Sequence, residues 1–303
     1  MTDFPDESGA PLAGVRVLSL SLNLPGPAAL MRCRRMGASC TKLEAPPPAG
    51  ARSSDPMGAY NPQAYEALHQ GVEILHANLK TAQGQAMLHA LLAQTDVLIT
   101  SFRPAASVKL GVDWASLHAR HPQLALVEIV GAPGERADEP GHDLTYLAQN
   151  GLVPGLELPA TLYADMAGSV MASEAVLQAL LRRAVGGRGV HIEVALSAAA
   201  AYLALPRHWG LTQPTGAVGG AHAGYRVYPC ADGRVAVAAL ELHFAERLCA
   251  AAGVDAQGGK AMFRSATHAA VASFLRERSC AQLDELAAAQ DIPLHTMPDD
   301  ADS

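Results

Sequence analysis

Charge, aromatic rings and paired cysteines are all in short supply in this 303-residue sequence. Only 17% of residues are charged, and 22 Lys and Arg against 29 Asp and Glu leave a net charge of -7. That balance offers no dense positive surface, so no nucleic-acid partner is expected. A polyanionic ligand would need a locally basic pocket. Aromatics form 5% of the chain and hydrophobic residues 50%, the texture of a folded globular chain and not of a disordered one. The five cysteines (Cys33, Cys40, Cys230, Cys249, Cys280) are odd in number, far apart and never arranged as CxxC. Neither a disulfide framework nor a zinc knuckle is expected, and no metal site is predicted. The most apolar stretch, 194–206, is too short to span a bilayer. The acidic opening lacks the basic-then-apolar pattern of a secretion signal. A cytoplasmic protein with no membrane partner is the expectation.

What the sequence does contain is alternation. Val15-Arg-Val-Leu-Ser-Leu20 reads as a strand, Gly26 to Met36 as a helix entered through Pro25, and Cys40 to Leu43 as a second strand, together a βαβ unit. Residues 49–64, rich in Gly, Ser and Pro, read as a surface loop. Segments 72–79, 97–100 and 124–130 are further strand candidates, with helices over 81–93 and 114–121. A long helix is expected from Asp165 to Arg183, stopped by Gly186-Gly187, with a strand returning over 190–194. This pattern implies an α/β fold, a Rossmann-like parallel sheet flanked by helices. No Gly-x-Gly-x-x-Gly follows the first strand, so a dinucleotide site is not expected. The Gly/Ala-rich segment 216–224 reads as a linker or a mobile loop, and beyond it the texture changes. Strands over 225–230 and 234–240 bracket Ala231-Asp-Gly233 as a hairpin, and three helices follow over 242–252, 267–277 and 282–290. The expected organisation is a large domain over 1–220 and a smaller α+β domain over 221–303.

Two ionisable positions sit where loops enter helices. His142 and Asp143 lie in Pro140-Gly-His-Asp-Leu-Thr-Tyr146, and Asp165 lies in Leu162-Tyr-Ala-Asp-Met-Ala-Gly168. Each aspartate reads equally as a helix cap, with its carboxyl kept acidic by the helix N-terminus. A chemical role requires a pocket whose burial reverses that effect. His118 and His121 share a helical spacing but have no third ligand beside them, and read as a solvated helix end. Ser169 follows Gly168 without a GxSxG elbow, so a serine hydrolase is not expected.

Six ordered segments carry a resemblance. Pro11-Leu-Ala-Gly-Val-Arg-Val-Leu18, Met36-Gly-Ala-Ser-Cys-Thr-Lys-Leu-Glu-Ala-Pro46 and Phe102-Arg-Pro followed by Lys109-Leu-Gly-Val resemble the class III CoA-transferase (CaiB/BaiF) superfamily. Gly141-His-Asp-Leu-Thr-Tyr-Leu-Ala148, Tyr163-Ala-Asp-Met-Ala-Gly168 and Val237-Ala-Ala-Leu-Glu-Leu-His-Phe244 are similar to its α-methylacyl-CoA racemase branch. The resemblance implies an acyl-CoA enzyme, foremost one that epimerises a 2-methylacyl-CoA. His142 and Asp165 would be the paired bases, Glu241 would orient or supplement the histidine, and the amides of Met166 and Ala167 would hold the enolate oxygen. In the transferase branch the matching aspartate is instead the nucleophile, and a non-catalytic binding relative is the third reading. Coenzyme A would arrive as part of the substrate, with no tightly bound cofactor. Its phosphates need cations, for which Lys42, Arg103 and Lys109 are candidates, while Phe102 could stack on the adenine. The family implies a homodimer, the interlocked form included. Two departures stand out: His69-Gln-Gly-Val-Glu-Ile74 replaces a basic stretch, and the loop from Gly151 to Leu162 is short.

Overall fold

Strands joined through helices must run the same way, which is why the alternating first two hundred residues yield a parallel sheet. The computed structural model describes residues 9–255 and 259–299. The irregular start of the chain and most of the frayed tail expected from the sequence fall on residues outside these. Six strands, β1 (Arg16–Ser19), β2 (Ser39–Glu44), β3 (Glu73–His76), β4 (Val97–Thr100), β5 (Ala125–Val130) and β6 (His191–Ala195), pair in parallel in the order β3-β2-β1-β4-β5-β6. Between and after them come α1 (Pro25–Arg35), α2 (Pro56–Tyr60), α3 (Pro62–Leu68), α4 (Ala82–Leu92), α5 (Pro104–Leu110), α6 (Trp114–Arg120), α7 (Asp143–Gln149), α8 (Tyr163–Gly186) and α9 (Leu196–Leu203).

Successive strand residues face opposite ways, and the two cores follow that rule. Val17, Val97, Ile99, Val127 and Ile129 pack with residues of α1 and α8. Leu18, Leu98 and Leu126 pack on the other side with Leu88 and Leu92 of α4 and Leu117 of α6. The α8 face turned inward is built from small residues, Ala164, Gly168, Ala172, Ala175 and Ala179, which lets neighbours approach closely. A Cβ on Gly168 would lie 2.3 Å from Leu196 Cδ2. The helix ends where Gly187 turns left-handed at φ 69°.

Residues 49–64, expected as loop, instead contain α2 and the start of α3. Asp55 and Asn61 cap these helices through their side chains, and Pro56 and Pro62 open them. Proline-rich composition here marks helix starts. Asp165, expected at a helix cap, is the third residue of α8, whose N-cap is Leu162.

The chain divides into two compact units, Met1–Ala204 and Leu205–Ser303, whereas the sequence pattern placed the change at residue 220. The second unit contains α10 (Leu205–His208), α11 (Leu242–Ala251), α12 (Ser265–Arg276), α13 (Cys280–Gln290) and an antiparallel sheet of β7 (Tyr225–Cys230), β8 (Gly233–Ala238) and β9 (Leu294–Pro298). The hairpin forms at Ala231-Asp232, and β9 is a strand the sequence pattern did not reveal. No helix among the described residues is long and apolar enough to cross a membrane.

Candidate active site

Strand order reverses between β1 and β4, so the loops leaving their carboxyl ends diverge and open a crevice. A cleft of about 540 Å³ lies there, lined by Asn23 and Pro25 after β1, Ser101 and Arg103 after β4, Gly131 after β5, and His142, Asp143, Tyr146 and Asp165. Asn23 itself is left-handed, at φ 61°. A second hollow, of about 440 Å³, lies on the smaller unit against β7 and β8 and offers Arg226 and Tyr225 as its ionisable groups.

Asp165 sits in the first turn of α8, where the helix dipole would hold a carboxyl acidic. Burial works the other way and wins. Together with the Asp143 charge, it pushes Asp165 up to about 6, although the nearby His142 pulls it down. Asp143 is 5% exposed and accepts the Asp165 backbone N–H at 3.0 Å. It thus satisfies an otherwise orphaned amide of α8 and fixes a second negative charge beside the first. That Asp143 role, reaching from one helix start to the next, was not visible in sequence. The Met166 amide, expected to hold a reacting oxygen, donates to the Leu162 carbonyl at 3.0 Å. Ala167 lies past the first turn, beyond the amides a helix leaves free. Neither amide is available.

His142 precedes α7 and is exposed on the cleft, its backbone N–H donating to Thr145 Oγ1 at 3.0 Å. Tyr146, one turn further, is 5% exposed, with its hydroxyl end passed between two glycines. A Cβ on Gly131 would lie 2.3 Å from its Oη, and one on Gly141 would lie 2.5 Å away. Burial and the Asp165 charge raise its hydroxyl above the usual tyrosine range, so it stays a protonated donor at neutral pH. The Gly-flanked spacing was the only sequence signal for it.

Arg103 caps α5, is exposed and lines the cleft. Lys109 is exposed at the opposite end of that short helix. Phe102 is partly buried against the β1–β4 core. Lys42 is placed differently from the cations a phosphate would need. It is fully buried, and its ammonium lies 2.6 Å from Asp55 Oδ2, 3.1 Å from Glu44 Oε1 and 3.0 Å from His69 Nε2. An ammonium has three protons, and all three are taken. Glu241 belongs to the smaller unit, where it is exposed and precedes α11.

The surroundings of Lys42 are equally complete. Tyr65 and Ser53 donate their hydroxyls to Glu44, and Asn23 and Met57 donate backbone N–H groups to Asp55. Burial alone would raise Glu44, but the Ser53 hydroxyl and Lys42 outweigh it and hold the carboxyl below its usual range. Burial and Lys42 together lower His69. The neutral imidazole then donates from Nδ1 to the Tyr65 carbonyl at 2.7 Å and accepts from Lys42 at Nε2.

The family model for CoA-transferase family III matches residues 12–302. The succinate–glutarate CoA-transferase of Agrobacterium fabrum is 31% identical over 283 residues, covering 84% of this chain and 70% of that protein. The alpha-methylacyl-CoA racemase of Mus musculus is 28% identical over 81% of this chain and 66% of its own length. The chain spans about half the length of several other curated relatives it matches, most of them CoA-transferases by name. A solved hypothetical protein of Mycobacterium tuberculosis superposes with a TM-score of 0.80 at 23% identity, covering 94% of this chain and 83% of that one, which establishes the shared fold.

Proposed function

The chain belongs to CoA-transferase family III, and we propose that it moves coenzyme A between an acyl-CoA and a carboxylic acid through Asp165. The observation that carries the reading is Asp165 itself, a half-buried carboxylate raised to about 6 in a cleft at the carboxyl ends of the strands. At pH 7 roughly nine-tenths of such a group is ionised, so it is both available and more basic than a free aspartate. Its oxygen attacks the thioester carbonyl and expels the CoA thiolate, leaving a mixed anhydride. The thiolate then attacks the aspartyl carbonyl and releases the first acid, leaving an aspartyl-CoA thioester. The incoming carboxylate reverses both steps and departs as the new thioester. Tyr146, buried beside Asp165, is the donor placed to steady the developing oxyanion. Arg103 is the cleft cation that meets the substrate's negative charge, and Lys42 takes no part in binding.

The sequence alone favoured racemisation, and one observation keeps it as the second reading. His142 stands on the same cleft, close enough for its charge to lower Asp165. Two such groups on opposite faces of an α-carbon would exchange a proton. Hydroxylamine with acyl-CoA separates the two, because only transfer forms an acyl-enzyme. We expect hydroxamate at Asp165 and no deuterium at the α-carbon of a 2-methylacyl-CoA in heavy water. Deuterium incorporation without trapped enzyme would reverse the order.

A further inference from the structure

Cys230 and Cys280 are fifty positions apart in the chain, yet their sulfurs stand 3.6 Å apart in the smaller unit. Cys230 ends β7 at the hairpin, and Cys280 is the first residue of α13. Asp232 occupies the hairpin turn between them. Its Oδ1 lies 3.8 Å from Cys230 Sγ and accepts the Cys280 backbone N–H at 2.7 Å. One ligand atom from each of the three lies within 4.8 Å of the others. Both cysteines are buried and the aspartate is exposed, so the sulfurs are shielded while the carboxylate keeps a path to solvent.

Two chemistries suit a pair of thiols this close, and the carboxylate of Asp232 beside them favours ligation. A disulfide would bring the sulfurs to about 2.05 Å. Around a tetrahedral ion with metal–sulfur bonds of about 2.3 Å, neighbouring sulfurs stand about 3.8 Å apart. The observed 3.6 Å is the contact of two free thiols. It already matches the edge an ion needs, whereas a disulfide would require the sulfurs to be drawn much closer. The oxygen-to-sulfur distance fits another edge of the same tetrahedron. The site is also held in advance. The Ala231 N–H donates to the Arg278 carbonyl at 2.8 Å, which together with the Asp232 bond docks the hairpin turn against the start of α13. Cys280 is the first residue of an eleven-residue helix. Burial, with Asp232 and Cys230 beside it, pushes its thiol up to about 12, so it keeps its proton until an ion displaces it.

We infer that Cys230, Asp232 and Cys280 form a three-ligand site for a thiophilic divalent cation, zinc foremost. Water fills the fourth position. Binding replaces the two thiol protons, which leave to solvent, and nothing is oxidised. The ion would tie the β7–β8 hairpin to α13, a clasp independent of the cleft in the larger unit.

Cadmium reports thiolate ligation directly by its near-ultraviolet charge-transfer band, so reduced, metal-free protein is titrated with Cd²⁺ and then competed with Zn²⁺ and a chromophoric chelator. One saturable equivalent per chain is expected, displaced by zinc, with a rise in Tm in excess zinc. Cys280→Ser should abolish the band. Asp232→Asn should weaken zinc by about tenfold or more, since a direct ligand should cost at least what an outer partner does. Cys249→Ala, which alters a different buried thiol, should leave the band intact. If Cys280→Ser does not fold, Cys230→Ala serves as the second ligand variant. Failure to saturate at one equivalent, or a band that survives loss of either cysteine, overturns the site. So does a loss of two mass units, matching a Cys230–Cys280 disulfide, in protein that then ignores cadmium.

Discussion

Two groups of charged side chains in the larger unit, one on β2 and one where α7 and α8 begin, behave oppositely. Around Lys42, every proton and nearly every lone pair has a partner, and burial is complete. Around Asp165, the charge of Asp143 lies close by, neither carboxylate has an ion pair among the described residues, and the cleft stays open. Saturation turns the first group into framework, because an ammonium with three acceptors has nothing left to offer a ligand. Incomplete compensation keeps the second group reactive. Asp165 is raised because its charge is poorly served, and the same shortfall makes it a better nucleophile.

The contrast is open to attack from both sides. Asp165→Asn should lower kcat by about a thousandfold or more while leaving acyl-CoA affinity nearly unchanged. Equal loss of affinity would mean that the carboxylate binds and does not react. Lys42→Met leaves two acids buried without their cation and should cost about 3–5 kcal/mol of stability by urea denaturation. A folded, near wild-type protein would show that the hub is less saturated than its distances imply.

Asp165→Asn should also stabilise. The carboxyl is raised in the fold to about 6, against an unfolded value near 3.9. The native state therefore holds the extra proton, stability from this group falls as pH climbs between those two values, and the loss is complete above about 6. Removing the charge should recover about 1–3 kcal/mol at pH 7.5 and nothing at pH 3.5. Arg103→Ala should raise KM for acyl-CoA by about tenfold with little change in kcat. Smallest of all, Asp143→Asn keeps an acceptor for the Asp165 amide but removes the neighbouring charge. The acid limb of the rate profile should move to lower pH, raising activity at pH 5 relative to pH 8 by about a few-fold.

The sheet and its helices were legible because their signals are local: apolar runs set the strands, and Gly or Pro bounds the helices. Asp165 and His142 were legible as helix-entry residues within a recognised segment. Partnership across the chain was not. Nothing near Lys42 in sequence announces Asp55 or His69, so a buried structural cation reads like a phosphate ligand. Asp143 looked like the cap of its own helix, yet it serves α8. Cys230 and Cys280 carry no CxxC spacing, because a hairpin and a distant helix bring them together.

The central place of β1 between β2 and β4 has a consequence during synthesis. Strand β1 is made well before its second neighbour, which begins at residue 97, and β6 ends only at residue 195. For that interval the three-stranded half carries an open edge whose next partner has not been made. Long-range parallel pairing of this kind is slow and exposes apolar surface to neighbouring chains. Yield in a cell should therefore respond to chaperone supply and to translation speed across residues 45–96, a stretch that contributes no side chain to the acid pair.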